Sequence, residues 1–247
     1  MSTVGALAGT EARLLSREWG AMVFGFVFPT LFMLVLAGVF ANDDPSTYGG
    51  VSGTDYYLSA YAGVPVGAMA FVGLPVMLAS YRERGVLRRF DAFGVSTVRV
   101  VAAQVLVTFG MAVLGTVVEM AVALPLYGLP PVDNVPATLV GYVMGAATML
   151  SLGAALGLAA KTARSASALG MVVFLPMWLL GGGGPPQSVM TGAMQQISDV
   201  LPLWHTTVAI RQPWLFDAGF GHHHILALTI WLAVGLAAIA LLLRRRS

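Results

Sequence analysis

The chain has 247 residues, of which 57% are hydrophobic and only 10% are charged, and its formal net charge is +2. A soluble domain carries about 25% charged residues, and a soluble fold of this length could not hide so many unbroken apolar helices. These numbers exclude a soluble globular protein and predict an all-α integral membrane protein. The chain contains no cysteine, which excludes a disulfide framework and a thiolate metal site.

Six apolar segments have close to the roughly 20 residues that a helix needs to cross a bilayer. In chain order we predict spans at about residues 21–41, 56–81, 99–127, 137–160, 165–180 and 222–243, in a single membrane domain that covers 1–247. The segment before the first span is charged, and no small-residue cleavage site follows that span, which argues against a cleaved signal peptide. We expect this N-terminal segment to lie at the cytoplasmic surface of the membrane.

The basic residues indicate which way the spans run. Twelve of the 13 basic residues, all except Arg211, lie before the first span, after the last one, or in the loops that follow spans two and four. The opposite loops carry aspartates instead: Asp43, Asp44, Asp55, Asp133, Asp199 and Asp217. Since cytoplasmic loops are enriched in Lys and Arg, the pattern predicts that both termini are cytoplasmic.

Between spans two and three lies the most polar interior stretch, YRERGVLRRFDAFGVS, residues 81–96. At 100° per residue, four apolar side chains share one face of a helix: Val86, Leu87, Phe90 and Phe93. Arg84, Arg88 and Asp91 fall on another face, and Glu83 lies among the apolar residues. A short helix of this kind, at about residues 82–93, suits docking into a groove of a partner protein that offers a cation. A simple positively charged membrane anchor remains the alternative.

The stretch after span five, GGGGPPQSVMTGAMQQISDVLPLWHTTVAIR (residues 181–211), is too polar to span and too apolar for a free loop. Four of its apolar residues recur at intervals of three or four positions: Met190, Met194, Ile197 and Leu201. This spacing predicts an amphipathic helix that lies at, or dips into, the outer leaflet.

Both stretches resemble segments of ATP-binding-cassette (ABC) type-2 exporter permeases, of the daunorubicin-resistance and polysaccharide-export type. YRERGVL followed by FGVS resembles the family's ERERGTL…TPVS segment, the coupling helix that sits on the ATPase subunit. Residues 181–211 resemble the family's loop after span five, and FVFPTLFMLVLAGVF in span one agrees. Three positions depart from the pattern: Tyr81 replaces the first acid, Val86 a threonine and Gly94 a proline. Because one acid is lost, Glu83 is the expected contact with the ATPase.

The resemblance implies a multi-pass permease of the bacterial plasma membrane, with re-entrant helices at about 183–205 that close the outer end of the path. It assigns ATPase coupling to six residues in and beside the coupling helix: Arg82, Glu83, Arg84, Gly85, Leu87 and Phe90. Six spans with one coupling helix cannot engage two ATPase sites. We therefore expect two ATPase subunits together with a second permease copy or a paralogue.

The chain carries no phosphate-binding loop of its own. The pattern G-x-x-x-x-G-K-[ST] requires glycine before lysine, and the only lysine, Lys161, follows Ala159 and Ala160. We therefore expect ATP and Mg²⁺ on the separate ATPase, no cofactor on this chain, and no catalysis by this chain itself. Membrane lipid is an expected partner, and nucleic acid is not.

Type-2 exporters carry drugs, lipids or surface polysaccharides. On spans two and five we predict path residues that are apolar or aromatic: Tyr57, Tyr61, Met171, Phe174 and Trp178. This lining favours outward movement of an amphiphilic small molecule, a drug or a lipid. The alternative, a polysaccharide or glycolipid exporter, would be expected to show more aromatic and hydroxyl side chains along the path. An ion-coupled secondary carrier, an alternative of another class, would need several acids in the membrane, and only Glu119 qualifies.

Three smaller features have competing interpretations. Gly50-Val51-Ser52-Gly53 with a downstream histidine is typical of rhomboid-type serine proteases, but Ser52 lies in a polar external loop, which favours a turn. The adjacent histidines at 222–224 point about 100° apart on a helix, which favours an interfacial cap and predicts no metal site. Glu119 either pairs with a polar group in the bundle or lies near the outer interface.

Glycines recur at four-residue spacing in spans two and four. The pairs are Gly63 with Gly67, Gly141 with Gly145, and Gly153 with Gly157. Small residues at this spacing predict close packing of helices within the chain.

Overall fold

The computed structural model describes residues 19–217, 219 and 221–244. The predicted N-terminal surface segment with Arg13 and Arg17 lies outside these residues, as do Arg245 and Arg246. Within the described residues every regular element is a helix. The predicted all-α fold is therefore confirmed.

The first predicted span consists of α1 (Trp19–Met22), a π-helical turn (Val23–Val27) and α2 (Phe28–Val39). The second consists of α3 (Gly53–Tyr61), α4 (Val64–Ala68), a π-helical turn (Met69–Gly73) and α5 (Leu74–Glu83). The helices that follow are α6 (Val86–Ala92), α7 (Thr97–Tyr127), α8 (Val135–Ala159), α9 (Ala163–Trp178), α10 (Gly192–Ser198), α11 (Pro202–Leu215) and α12 (His222–Arg244). A π-helical turn, Leu179–Gly183, extends α9, and 3-10 turns lie at Pro45–Tyr48 and Gln187–Val189.

Among the described helical stretches, five are long and apolar enough to cross a membrane: Pro45–Glu83, Thr97–Tyr127, Val135–Ala159, Ala163–Gly183 and His222–Arg244. The first predicted span corresponds to a shorter apolar helix, Val23–Val39. The chain is thus a multi-pass integral membrane protein.

The second span forms the centre of the bundle. Tyr57, Tyr61 and Leu74 have no exposed surface, and α2, α7, α8 and α9 pack around this span. By contrast, α12 packs mainly on α8 and α11 and leaves most of its apolar side chains exposed. An outer surface of this kind suits lipid, because hydrocarbon tails are as apolar as the side chains that face them.

Glycines let α8 approach its neighbours closely. A Cβ atom at Gly141 would collide with the backbone of Ala209 in α11, and one at Gly153 would collide with the backbone of Ala70 in the second span. Cβ atoms at Gly145 and Gly157 would collide with Thr206 and Pro75. Those at Gly63 and Gly67 would lie 3.1 Å from side-chain atoms of Ile210 and Leu203. The predicted packing of these glycines within the chain is therefore confirmed.

Loops that the charge pattern assigns to one side of the membrane meet at one end of the bundle. At the end that carries the aspartate-rich loops, Ser188 Oγ donates to the carbonyl of Thr47 (2.7 Å). At the opposite end, Arg82 Nη1 donates to the carbonyl of Ala160 (3.0 Å). We call the first end, with residues 40–52, 128–134, 181–217, 219 and 221–224, the acidic end. We call the second, with residues 82–99 and 160–164, the basic end.

The segment after α9 folds back into the bundle instead of forming one amphipathic helix. The predicted apolar stripe from Met190 to Leu201 is split, because α10 ends at Ser198 and α11 begins only at Pro202. Proline favours an extended residue before it, and Leu201 has φ −73° and ψ 129°. Helix α11 is mostly buried and continues to Leu215, well beyond the predicted end of the re-entrant segment near 205.

Candidate functional site

The predicted coupling helix is shorter than expected and separate from the second span. Helix α5 ends at Glu83, and α6 spans only the seven residues Val86–Ala92. Gly85, with φ +69°, and Gly94, with φ +75°, adopt left-handed conformations, which interrupt the helical backbone before and after α6. The single helix predicted for about 82–93 is thus wrong, since four of the predicted coupling residues precede α6: Arg82, Glu83, Arg84 and Gly85. The side chains of Arg88 and Asp91, predicted for a second face, lie outside the described part of the structure.

Part of the predicted docking face is already packed within the chain. Leu87 is 8% exposed, and Phe90 packs against the same hydrophobic core. Phe93, by contrast, is 84% exposed, because α6 ends one residue before it and the helical periodicity does not continue. Leu87 and Phe90 therefore attach α6 to the bundle. The exposed side chains among the described residues of this segment include Arg84, Arg89 and Phe93.

Arg82 and Glu83 bind the turn between α8 and α9. Nη1 of Arg82 donates to the carbonyls of Leu158 (3.2 Å) and Ala160 (3.0 Å), at the end of α8. The backbone N–H of Ala163, the first residue of α9, donates to Oε2 of Glu83 (2.9 Å). The cation thus faces the negative end of one helix dipole, and the carboxylate faces the positive end of the next. The sequence predicted that Glu83 contacts a cation of a partner protein. In the structure its carboxylate already accepts a hydrogen bond from within the chain.

Two predicted path residues of the second span hold the glycine-rich turn after α9. The hydroxyl of Tyr61 donates to the carbonyl of Gly183 (2.7 Å), and that of Tyr57 donates to the carbonyl of Gly184 (3.3 Å). Both side chains are fully buried. In this conformation they act as structural donors to the turn.

The predicted path residues of α9 pack against the first span. The ring centroid of Trp178 lies 4.9 Å from that of Phe28 and 5.0 Å from that of Phe32, both in edge-on geometry. Phe174 has no exposed surface, and Met171 is partly buried against the core. The aromatic cluster therefore closes the space between α2 and α9.

A cleft of about 370 Å³ lies beside this cluster and reaches the loops of the acidic end. Its aromatic lining comprises Phe32, Phe40, Tyr48, Tyr57 and Trp178, and Asp43 and Thr47 contribute polar groups. A mostly apolar cleft with a few polar groups is typical of small-molecule sites. Among the predicted path residues, Tyr57 and Trp178 line this cleft, and Tyr61, Met171 and Phe174 do not.

Glu119 is buried inside the bundle. It has no exposed surface, and neither carboxyl oxygen has a hydrogen-bond partner within the described residues. Of the two alternatives predicted for Glu119, a hydrogen-bonded pair with a polar group of the bundle is not formed among the described residues.

Ser52 has a structural role at the start of α3. Its Oγ accepts a hydrogen bond from the backbone N–H of Asp55 (3.0 Å) and donates to the Asp55 carboxylate (2.8 Å). This arrangement is a helix N-cap, in agreement with the interpretation as a turn.

The sequence patterns did not predict two features of the acidic end. Arg211 is 7% exposed, and its guanidinium lies 4.1 Å from the centroid of the Tyr56 ring, in a cation–π contact. The adjacent histidines of α12 do not all converge, as expected, but His205 of α11 joins His223 and His224. The spacing of neighbours along the chain does not indicate this cluster, because His205 precedes His224 by 19 residues.

The apolar helix bundle, with a short polar helix at its basic end, defines a multi-pass membrane protein. The sequence profile of the ABC-2 type transporter family matches residues 3–215, and the chain belongs to this family. It is therefore a transmembrane permease component of an ABC transporter, it is not itself the catalytic subunit, and it partners with an ABC ATPase subunit. A comparison with curated proteins finds no match.

Proposed function

We propose that the chain moves an amphiphilic small molecule, a drug-like compound or a lipid, outward across the bacterial plasma membrane. The observation that carries this proposal is the cleft of about 370 Å³ beside Tyr57 and Trp178. Its rings favour an apolar or aromatic moiety. Asp43, whose carboxylate accepts a bond from the Tyr48 hydroxyl (2.9 Å), supplies a polar contact for the other part of such a molecule.

The basic end faces the cytoplasm in this proposal. Among the described residues, six basic side chains are exposed there: Arg82, Arg84, Arg89, Arg99, Lys161 and Arg164. Their position agrees with the enrichment of Lys and Arg in cytoplasmic loops. The acidic end, with the opening of the cleft, then faces outward.

The ATPase docks on the surface that α6 and the α8–α9 turn form together. Phe93 supplies an exposed apolar contact, and the arginines and Lys161 suit an acidic partner. ATP and Mg²⁺ bind to the ATPase. Because each chain offers one such surface, two chains, or this chain and a paralogue, engage two ATPase subunits.

Helix α9 connects the docking surface to the cleft. Glu83 binds its first residue, Ala163, at the basic end, and its last residue, Trp178, lines the cleft near the acidic end. A displacement of α6 by the ATPase therefore acts on α9 through Arg82 and Glu83. The shift of Trp178 that follows opens or closes the cleft.

Substitution of Trp178 tests the cleft. The permease is purified with its ATPase partner, and ATP hydrolysis is measured over a panel of lipids and drug-like compounds. Trp178→Ala should change which compounds stimulate hydrolysis. Val172→Ala, a matched change of an α9 residue that is 70% exposed, should leave the profile as in wild type. An unchanged profile in Trp178→Ala, or stimulation by a polysaccharide precursor alone, would contradict the proposal.

A further inference from the structure

Three histidines meet at the acidic end, where α11 crosses the start of α12. The ring nitrogens of His205, His223 and His224 that are placed to bind an ion all lie within 4.8 Å of one another. His205 is 2% exposed, His224 is half-buried and His223 is exposed. One ligand comes from the re-entrant helix and two come from the last span, so tertiary packing brings them together.

The hydrogen bonds of His205 decide which of its nitrogens is available. Nε2 lies 2.9 Å from the carbonyl oxygen of Asp199, which can only accept, so Nε2 carries the proton. A neutral ring of this tautomer presents a lone pair on Nδ1, and this atom lies 2.9 Å from Nδ1 of His224. A carbonyl that accepts from the far nitrogen is the usual support of a metal-binding histidine.

We propose that His205, His223 and His224 bind a divalent transition-metal ion of the zinc class. Neutral imidazoles suit Zn²⁺, Cu²⁺ and Ni²⁺, whereas Mg²⁺ and Ca²⁺ prefer oxygen ligands. Tetrahedral Zn²⁺ with nitrogen at roughly 2.0–2.1 Å places its ligand nitrogens about 3.4 Å apart. Since the nitrogens lie within 4.8 Å of one another, their separations need to shrink by at most about 1.4 Å to reach this spacing, and His224 binds after moving its proton to Nε2.

The rest of the coordination sphere is open to solvent. His224 lines a cleft of about 310 Å³ together with Asp199, Arg211 and Gln212, which leaves room for water as a fourth ligand. A bound ion links the re-entrant helix α11 to the last span. It therefore restrains relative movement of these two helices at the acidic end.

Zinc binding to the full-length chain tests the site. The protein is purified in detergent with a tag that contains no histidine, and Zn²⁺ is titrated by calorimetry, with thermal unfolding measured in parallel and Mg²⁺ as the control ion. We expect one Zn²⁺ per chain and a rise in Tm with Zn²⁺ alone. His223→Ala should weaken Zn²⁺ binding at least about tenfold, as the loss of a ligand exceeds the loss of an outer support.

The adjacent His222 provides the matched control, because it is exposed like His223 but lies outside the cluster. His222→Ala should bind Zn²⁺ as wild type does. His205→Gln keeps an N–H donor for the Asp199 carbonyl and removes the ligand, so it should fold and lose binding. The proposal is wrong if wild type does not bind Zn²⁺, or if His223→Ala and His222→Ala have the same affinity. These measurements use the isolated chain, so their outcome does not depend on the transported substrate.

Discussion

The two ends of the bundle hold their loops in different ways. At the acidic end the side chains that hydrogen-bond to the loop are buried. The Tyr61 hydroxyl donates to the Gly183 carbonyl (2.7 Å), and Thr207 Oγ1 donates to the Gly181 carbonyl (2.8 Å). At the basic end the hydrogen bonds to the α8–α9 turn come from the exposed side chains of Arg82 and Glu83.

This difference separates what each end can do. A buried polar group left without its partner costs about 1–3 kcal/mol, so the acidic end strongly favours one arrangement. An exposed charged contact is worth roughly 0–1 kcal/mol and can be exchanged for a contact with another protein. Substitutions at the acidic end should therefore change the stability of the chain. Substitutions at the basic end should mainly change its assembly with the ATPase.

Two glycines with positive φ give the largest expected contrast. Gly182, with φ +110°, lies at the acidic end, and its Cβ would approach Thr207 Oγ1 to 2.5 Å, whereas Gly94, with φ +75°, has open space around it. Gly182→Ala combines backbone strain with overpacking and should destabilise the chain by about 2–5 kcal/mol. Gly94→Ala adds only strain, about 1–2 kcal/mol. Thermal unfolding in detergent measures both, and equal losses of stability would remove the contrast between the ends.

Reversing the charge of Glu83 should destabilise the chain less than Gly182→Ala does. It should weaken assembly with the ATPase more. Lysine would lose the bond to the Ala163 N–H and place a cation at the positive end of the α9 dipole, which costs about 1 kcal/mol. Glu83→Lys should therefore reduce co-purification with the ATPase and substrate-stimulated ATP hydrolysis. Glu83→Gln, which keeps an acceptor oxygen, should retain most of both.

Arg89→Ala is the matched control for the charge of this segment, because Arg89 is exposed on α6. It should couple nearly as wild type does. If Arg89→Ala uncouples transport and Glu83→Lys does not, the segment is a membrane anchor, and the proposed route through α9 is wrong.

The long apolar helices could be predicted because span length and loop charge are local properties of the sequence. Helix α11 was only partly predicted, since a buried segment with Thr206, Thr207 and Arg211 resembles a loop by hydropathy. The hydroxyls of both threonines donate to nearby carbonyls, Thr206 Oγ1 to that of Pro202 (2.9 Å) and Thr207 Oγ1 to that of Gly181 (2.8 Å). Hydropathy does not register bonds of this kind.

The candidate coupling site shows the same limit. Arg82 and Glu83 could be singled out, but their partners lie 76–80 residues away, and no local pattern indicates them. One signal was present and overlooked. Glycine just after a helix commonly adopts a left-handed conformation that ends it, and Gly85 follows the last turn of α5 in this way.

Acid should affect the two ends differently, and this is the smallest effect that we expect. Burial lowers the pKa of His205, which faces Asp199, His223 and His224, while the basic end contains no histidine. Below about pH 6.5 the unfolded chain therefore binds a proton that folded His205 does not, and stability falls as pH decreases. In zinc-free buffer, Tm should fall between about pH 7 and 5.5 in wild type. It should fall less in His205→Gln, which keeps the donor to Asp199 and does not titrate. Parallel Tm profiles of the two proteins would show that His205 is not the group responsible.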